Sequence, residues 1–483
     1  MTHHNTASRI SRRRLVQGAA WSAPVILASA TVPAWAASGE PTCSPALTLK
    51  PTATGFDDKA GAYTEWLVPE GVGRVRFDLV GGAGGAASSF TPRYLTDVTN
   101  AALAGGGAGA QLSGVLAVKS GDILRVWAGN GGVGSAAGAQ PALGGEGYAA
   151  GGDSTGSSTA TGAAQVVGGT DSGYVYGASG GGSSAVELVR DGAVTVVAVA
   201  GAGGGGAQLG TLTTHQSLFN AQPKDQLNPA LRVALDGRDA STTAGGSAGG
   251  DLGTDNTGQG GMLMASPYQE FKPLDEDDKT LDMRFMVTGG TAGRSGVAGT
   301  LGEALAGVLD ENNELKLMPM SESWFDSYDF PRYYRYEGDS VSDKEKGTGG
   351  ADATGSYRGK GGSGALLSHT YGKLSLTSVA SGGGAGYGGG GAGLNIWTVG
   401  SYYEAVFGRQ VQFEGEGNIY SLSALSSGGG AGGSYINHEV VSDFALATAQ
   451  NANPTAGVRS PGSATLYGCT ENATLNTPIT EGA

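Results

Sequence analysis

Apolar and polar residues alternate with a period of two in several short runs of the chain. In RVRFDL, Val75, Phe77 and Leu79 point one way and Arg74, Arg76 and Asp78 the other, the pattern of a half-buried β-strand. SGVLAVKSGDILRVWAG repeats the alternation on both sides of a Ser120-Gly121-Asp122 turn. SSAVELVRDGAVTVVAVAG sets Asp191-Gly192 between two apolar runs, the strongest short-range hairpin signal. KLSLTSVA at 373–380, YSLSAL at 420–425 and SATLYG at 463–468 read as further strands. One segment has helical spacing instead: GEALAGVLDENNELKLM, at 302–318, places Leu305, Val308 and Leu309 on one face and predicts a short helix.

Glycine fills the gaps between these runs. GGAGG (81–85), AGGGAGA (104–110), ASGGGSS (178–184), AGAGGGGA (200–207), SGGGAGYGGGGAG (381–393) and SSGGGAGGS (426–434) give a recurring unit of strand followed by glycine block. Collagen needs glycine at every third position, and these blocks break that register at once. Flexible linkers do not normally alternate with apolar strands. The ordered alternative is an extended three-fold helix of glycine, in which neighbouring backbones, free of Cβ atoms, approach and bond directly. Ordering a residue costs about 1–2 kcal/mol, whereas a net hydrogen bond returns about 0.5–1.5 kcal/mol, so a lone glycine helix fails and only a bundle anchored by a β-sandwich stands. On this reading interrupting alanines and serines line the rim of the lattice and larger side chains stay outside it.

Composition sharpens the picture. Of 483 residues 90 are glycine, against roughly 7 % in ordinary proteins, and only 15 % are charged. Ser11-Arg12-Arg13-Arg14-Leu15, then a mildly apolar run and Ala34-Trp35-Ala36, reads as a twin-arginine export signal over 1–36. Cleavage after Ala36 removes four arginines and no acid, leaving 25 bases against 43 acids, a net of −18, which argues against a nucleic-acid partner. Beyond that segment no run of 18 apolar residues occurs, so no transmembrane anchor is expected in the mature chain. The two cysteines, Cys43 and Cys469, lie near opposite ends of the mature chain. In an oxidising compartment a disulfide joining the terminal strands is the leading reading, worth about 4–5 kcal/mol by loop entropy; two unpaired buried thiols are the alternative.

ASGGGSSAVELVRDGAVTVVAVAGAGGGGA, with YTEWLVPEGVGRVRFDLVGGAGG upstream, resembles the glycine-rich domain family found outside the cell in the anaplastic lymphoma and leukocyte receptor tyrosine kinases, in bacterial exported proteins and, as similar lattices, in phage tail-tip adhesins. The likeness covers residues 44–208 and 376–470. It implies an all-β fold, a jelly-roll-like β-sandwich with an inserted polyglycine II helix bundle and little α-helix, and a binding role in place of a catalytic one. The kinase, its membrane span and its cysteine framework are absent from this sequence, so the receptor biology does not transfer.

Four segments follow: the export signal at 1–36, a first glycine-rich part at 37–208, an acidic, aromatic-containing insertion at 209–375 and a last glycine-rich part at 376–483. Within the insertion WFDSYDFPRYYRY packs seven aromatics and two arginines into 324–336. Trp324, Phe325, Tyr328, Arg332, Tyr333, Tyr334 and Tyr336 are the candidate ligand-binding residues, because Tyr, Trp and Arg make good anchors for sugars or protein partners. The same segment also reads as a cap over the sandwich end. Gly177-Ala178-Ser179-Gly180-Gly181 matches G-x-S-x-G without the strand-turn-helix context that chemistry needs. His215, His369 and His438 lack ligand spacing, and Asp275 to Asp278 lacks a calcium-loop pattern. No catalytic residue, cofactor or metal is assigned. The sequence thus predicts a secreted or cell-surface bacterial protein, non-enzymatic, structural or adhesive; the alternatives are a glycan- or receptor-binding adhesin using 324–336, or a self-assembling matrix or fibre subunit.

Overall fold

Strand propensity and glycine content partition the molecule cleanly. The computed structural model describes residues 43–51, 62–86, 105–134, 142–154, 172–206, 210–213, 263–265, 283–287, 289–294, 296–309, 315–319, 334–338, 347–354, 358–364, 366–371, 374–401, 420–455 and 457–470. All of them fall within the unit Cys43–Glu471. The described elements are β-strands; no described helix is long and apolar enough to cross a membrane.

Two five-stranded antiparallel sheets carry the main core. The first runs β1 (Cys43–Leu49), β21 (Ser463–Thr470), β3 (Val72–Val80), β4 (Ala110–Ala117), β20 (Val441–Thr448). The second runs β19 (Tyr435–Ile436), β8 (Ala193–Ala200), β7 (Ser184–Arg190), β5 (Ile123–Trp127), β2 (Thr64–Leu67). As the alternation requires, Val75, Phe77 and Leu79 of β3 are wholly buried. They share one cluster with Leu112 and Leu116 of β4 and with Leu124, Val126, Val186 and Leu188 of the second sheet, so the two sheets enclose a single core. Opposite Phe77 stands Gly114, where a Cβ would lie 2.7 Å from the Phe77 ring and from Val441; its bareness makes room for the aromatic. Asp191 (φ 53°) and Gly192 (φ 79°) close the β7–β8 hairpin with both central residues left-handed, as the Asp-Gly pair predicts. The Ser120-Gly121-Asp122 turn instead carries the chain from one sheet to the other, β4 pairing with β3 and β20 and β5 with β7 and β2.

Three smaller sheets follow: β10 (Leu263–Ala265), β11 (Met283–Val287), β12 (Ala304–Leu309), β13 (Leu315–Pro319); β14 (Tyr334–Gly338), β17 (Asn395–Ser401), β18 (Tyr420–Ser426), β9 (Gly210–Thr213); and β15 (Leu366–Tyr371), β16 (Leu374–Val379), β6 (Ser172–Tyr176), whose β16–β6 pair is parallel. Of the helix expected over 302–318, the described residues from 304 onward are strand. Residues 304–309 and 315–319 form the β12–β13 antiparallel pair, with Leu305 opposite Pro319 and Leu309 opposite Leu315. Gly307 costs a helix interior about 1 kcal/mol, and β11 offers β12 a complete ladder on its other side.

The glycine tracts are continuous with the strands and bonded to one another through the backbone. In 178–183 the amides of Ala178 and Gly181 donate to Gly206 and Gly203, those of Ser179 and Gly182 to Val133 and Asn130, and those of Gly180 and Ser183 to Gly152 and Ala149, all at 2.8–3.1 Å. In 382–387 the same period of three recurs: Gly382 and Ala385 donate to Ala178 and Gly181, Gly383 and Gly386 to Gly362 and Gly359, Gly384 and Tyr387 to Gly430 and Gly433. Residues 201–206 stand in the middle, exchanging backbone bonds with 82–85, 107–110, 178–181, 382–385 and 429–432. Glycine is obligatory at this spacing. A Cβ on Gly203 would overlap the carbonyl of Gly107, and one on Gly84 that of Gly204.

Two expectations about the tracts need correcting. Ala83, Ala202, Ala385 and Ala431 are fully buried, as are Ser179, Ser381, Ser427 and Ser434, so they do not line an exposed rim. The serine hydroxyls bind backbone inside the lattice: Ser381 Oγ donates to the Gly206 carbonyl (2.6 Å) and Ser434 Oγ accepts from the Gly201 amide (3.0 Å). Nor are large side chains wholly excluded. Arg459, 1 % exposed, donates to the carbonyls of Gly131 (2.6 Å) and Leu143 (3.2 Å). A guanidinium brings five donors, which suits an interior rich in carbonyl acceptors.

Cys43 and Cys469 face each other in the β1–β21 register and are joined by a disulfide that spans 426 positions. At the β4–β5 crossover Asp122, nearly buried, receives Arg190 Nε and an Arg190 terminal nitrogen (3.0 and 2.6 Å) and the Lys119 amide (2.8 Å). The Arg190 bond, followed by the Lys119 amide, holds its carboxyl below the usual range against the opposing effect of burial.

Two predictions follow from this architecture. Gly203→Ala should cost about 3 kcal/mol or more in denaturant unfolding, whereas Gly468→Ala, whose Cβ would sit 3.6 Å from Val72, should stay within about 0.5 kcal/mol; equal effects would mean the tracts are not tightly packed. The lowered pKa of Asp122 adds stability above the unfolded carboxylate range, near pH 3.9, and that increment disappears as pH falls through the folded value. Asp122→Asn should therefore flatten the acid limb of the stability curve, measured by unfolding between pH 2 and 6.

Candidate functional site

The outer face of the second sheet carries a second, small cluster of buried side chains, Trp127, Ala185 and Val199, with aromatic rings packed against it. Reading across β5, β7, β8 and β19, Trp127, Ala185, Val199 and Tyr435 lie in one row by strand register. Large rings stand at both ends, with a shallow floor of small and branched side chains between them. Two tyrosines from bends between glycine tracts cover that floor: Tyr148, in Gly145-Glu146-Gly147-Tyr148, and Tyr387, in Gly384-Ala385-Gly386-Tyr387. Tyr148 meets Trp127 edge-on with centroids 5.1 Å apart, Tyr63 lies tilted against Trp127 at 5.1 Å, and Tyr387 stacks on Tyr435 at 4.0 Å. The result is a five-ring band in which Trp127 is buried, Tyr148, Tyr387 and Tyr435 are half-buried and Tyr63 is 46 % exposed.

A charged row runs beside the band. Glu65, Arg125, Glu187 and Val196 are successive neighbours across β2, β5, β7 and β8. Arg125 Nε bonds Glu65 at 3.1 Å and its guanidinium lies over the Tyr63 ring. Glu187, whose side chain is 4 % exposed, is met at 3.5 Å by Arg358, which also lies over Tyr148 and keeps 56 % of its own side chain exposed. Arg358 adopts φ 39°, a left-handed conformation rare outside glycine, asparagine and aspartate. Burial, with Glu187 alongside, pushes the Tyr148 phenol up to about 12, and burial raises Tyr435 as well.

The candidates chosen from sequence fare as follows among the described residues. Trp324, Phe325, Tyr328, Arg332 and Tyr333 are outside the described residues. Tyr334 and Tyr336 lie on β14, paired with Gly400 and Thr398 of β17. Ser179 is buried; its hydroxyl accepts from the Val133 amide (2.9 Å) and donates to the Leu143 carbonyl (2.8 Å). His438 packs edge-on against Phe444, His369 falls on β15, and His215 and Asp275 to Asp278 lie outside the described residues. Among the described residues no group of three or more His, Cys, Asp or Glu is placed to hold a metal ion. The signal that could have exposed the band is the repeated G-x-G-Y at 145–148 and 384–387, where an aromatic interrupts an otherwise bare tract.

Comparison with protein-family models finds no matching family, and no curated protein matches the sequence.

Tyr148 provides a direct test of this geometry. A phenol raised in the folded state stabilises the fold below the unfolded tyrosine value, near pH 10, and that contribution is lost as pH climbs through about 12. Ultraviolet titration should find a late-ionising tyrosine that Tyr148→Phe removes and Glu187→Gln moves down toward the ordinary range. A normal titration at this position would contradict the burial described.

Proposed function

We propose that the chain is a secreted, non-enzymatic structural and adhesive protein of the bacterial surface, exported by the twin-arginine route. On this reading its glycine tracts are polyglycine II helices, and the bundle stiffens a jelly-roll-like sandwich that displays the acidic insertion at 209–375. The observation that carries the proposal is the period of three in the amide partners of 178–183 and 382–387. Three residues per turn is the repeat of an extended polyproline-II-type helix, whose polar groups point outward to neighbours because none bond internally. Mixed tract directions favour it too: 382 and 385 run parallel to 178 and 181, whereas 178 and 181 run antiparallel to 206 and 203. Such a lattice has stiffness as its product. The disulfide supports an oxidising destination, where small-molecule thiols do not reopen it.

Amide hydrogen exchange on the full exported protein tests the scaffold. Residues 178–183 and 201–206 should be protected to the level of β3 and β7. Surfaces coated with the protein should retain cells of the producing organism. Tracts exchanging at free-peptide rates would overturn the lattice, and coated surfaces no better than bare ones would overturn the adhesive role.

A further inference from the structure

We propose that Tyr387 and Tyr435 form an oxidative cross-linking site, at which hydrogen peroxide, acting through a haem peroxidase, joins the two rings into a dityrosine. The inference goes beyond the structural and adhesive reading above and does not depend on it.

Two phenols couple where their rings meet, and here the backbone makes them meet. The rings stack with centroids 4.0 Å apart and planes 19° from parallel, closer than the roughly 4.5–7 Å that aromatic pairs prefer. Each ring hangs from a backbone that is bonded in place. The Tyr387 amide donates to the Gly433 carbonyl (2.8 Å), the Gly433 amide donates to the Gly388 carbonyl (2.9 Å), and the Gly296 amide donates to the Tyr387 carbonyl (3.2 Å). Tyr435 is fixed opposite Val199 in the β19–β8 register. Gly296 also lies against the Tyr387 ring, where a Cβ would come within 3.2 Å of Cε1. Both tyrosines are half-buried, so each keeps an outlet to solvent for its proton. The other described rings of the band meet differently: Tyr148 and Tyr63 face Trp127 at 82° and 54°.

The coupling balances with one peroxide. Each phenol gives up one electron and its hydroxyl proton, leaving two tyrosyl radicals whose unpaired spin is shared with the ring carbons ortho to oxygen. Radicals held in contact combine before either meets another molecule. One carbon–carbon bond forms between an ortho carbon of each ring, and the two ortho hydrogens pass to the oxygens, restoring both phenols. The pair loses two hydrogen atoms in all, and hydrogen peroxide takes them up as two waters. The Cys43–Cys469 disulfide fits a compartment in which such an oxidant persists. The product ties tract 382–387 to β19 covalently, beside the hydrogen bond from Tyr387 to Gly433.

The test is oxidation of the full folded protein, kept dilute, with limiting hydrogen peroxide and a haem peroxidase, followed by proteolytic digestion and mass spectrometry of the monomer. The peptides carrying 387 and 435 should be found joined, lighter by two hydrogen atoms than their sum. The same treatment in denaturant should lower the yield of that product roughly tenfold or more, because the two residues are 48 positions apart and contact alone brings them together. In Tyr435→Phe, which keeps the stacked ring, Tyr387 should remain uncoupled. Absence of the 387–435 product while other tyrosines cross-link, an equal yield in denaturant, or capture of Tyr387 by a different tyrosine in the variant would each overturn the proposal. None of these results bears on the glycine lattice, which amide exchange tests separately.

Discussion

The distance at which two peptide backbones can approach governs this molecule. Where a Cβ is absent on both sides, adjacent tracts close until amide meets carbonyl at 2.8–3.1 Å, as between 178–183 and 203–206 or between 382–385 and 178–181. Each such bond contributes little, and each glycine immobilised costs more than any other residue. The lattice is therefore cooperative by necessity. Its central tract, 201–206, is stable only because five others surround it. The serine hydroxyls of 179, 381 and 434 and the guanidinium of Arg459 add further bonds to the backbone inside the lattice.

The sandwich and the lattice depend on each other through covalent continuity. Strand β3 runs into 81–86, β8 into 201–206 and 427–434 into β19, so each tract inherits its position from a strand fixed by the core of Phe77, Leu112, Leu124 and Val186. In return the lattice places Tyr148 and Tyr387 over the outer face of the second sheet, where strand register alone leaves a gap between Trp127 and Tyr435. The band is thus assembled by two independent ordering systems, one reading side chains and the other reading their absence.

What was legible in the sequence is what local chemistry encodes. Period-two alternation located β3, and Asp191-Gly192 located a hairpin with both of its left-handed residues. The cysteines, read as a pair in the terminal strands, are joined there. What was illegible is what depends on partners remote in the chain. Helical spacing at 302–318 lost to a neighbouring strand, and the turn at 120–122 conceals a passage between sheets. Glycine tracts hide their own register, because a residue without a side chain carries no mark of which neighbour it meets. The aromatic band was missed for the same reason: Tyr148 and Tyr387 are 239 positions apart, and nothing local brings them to Trp127.

The position of the single covalent cross-link has a mechanical corollary. Because Cys43 and Cys469 are register partners on adjacent strands, tension entering ahead of the first and leaving beyond the second travels across one sulfur–sulfur bond. The 425 residues enclosed between them, with all their weak amide contacts, lie off the line of force. A fold assembled from many individually feeble bonds is thereby relieved of any pulling load applied through its two ends, which the disulfide carries in their place.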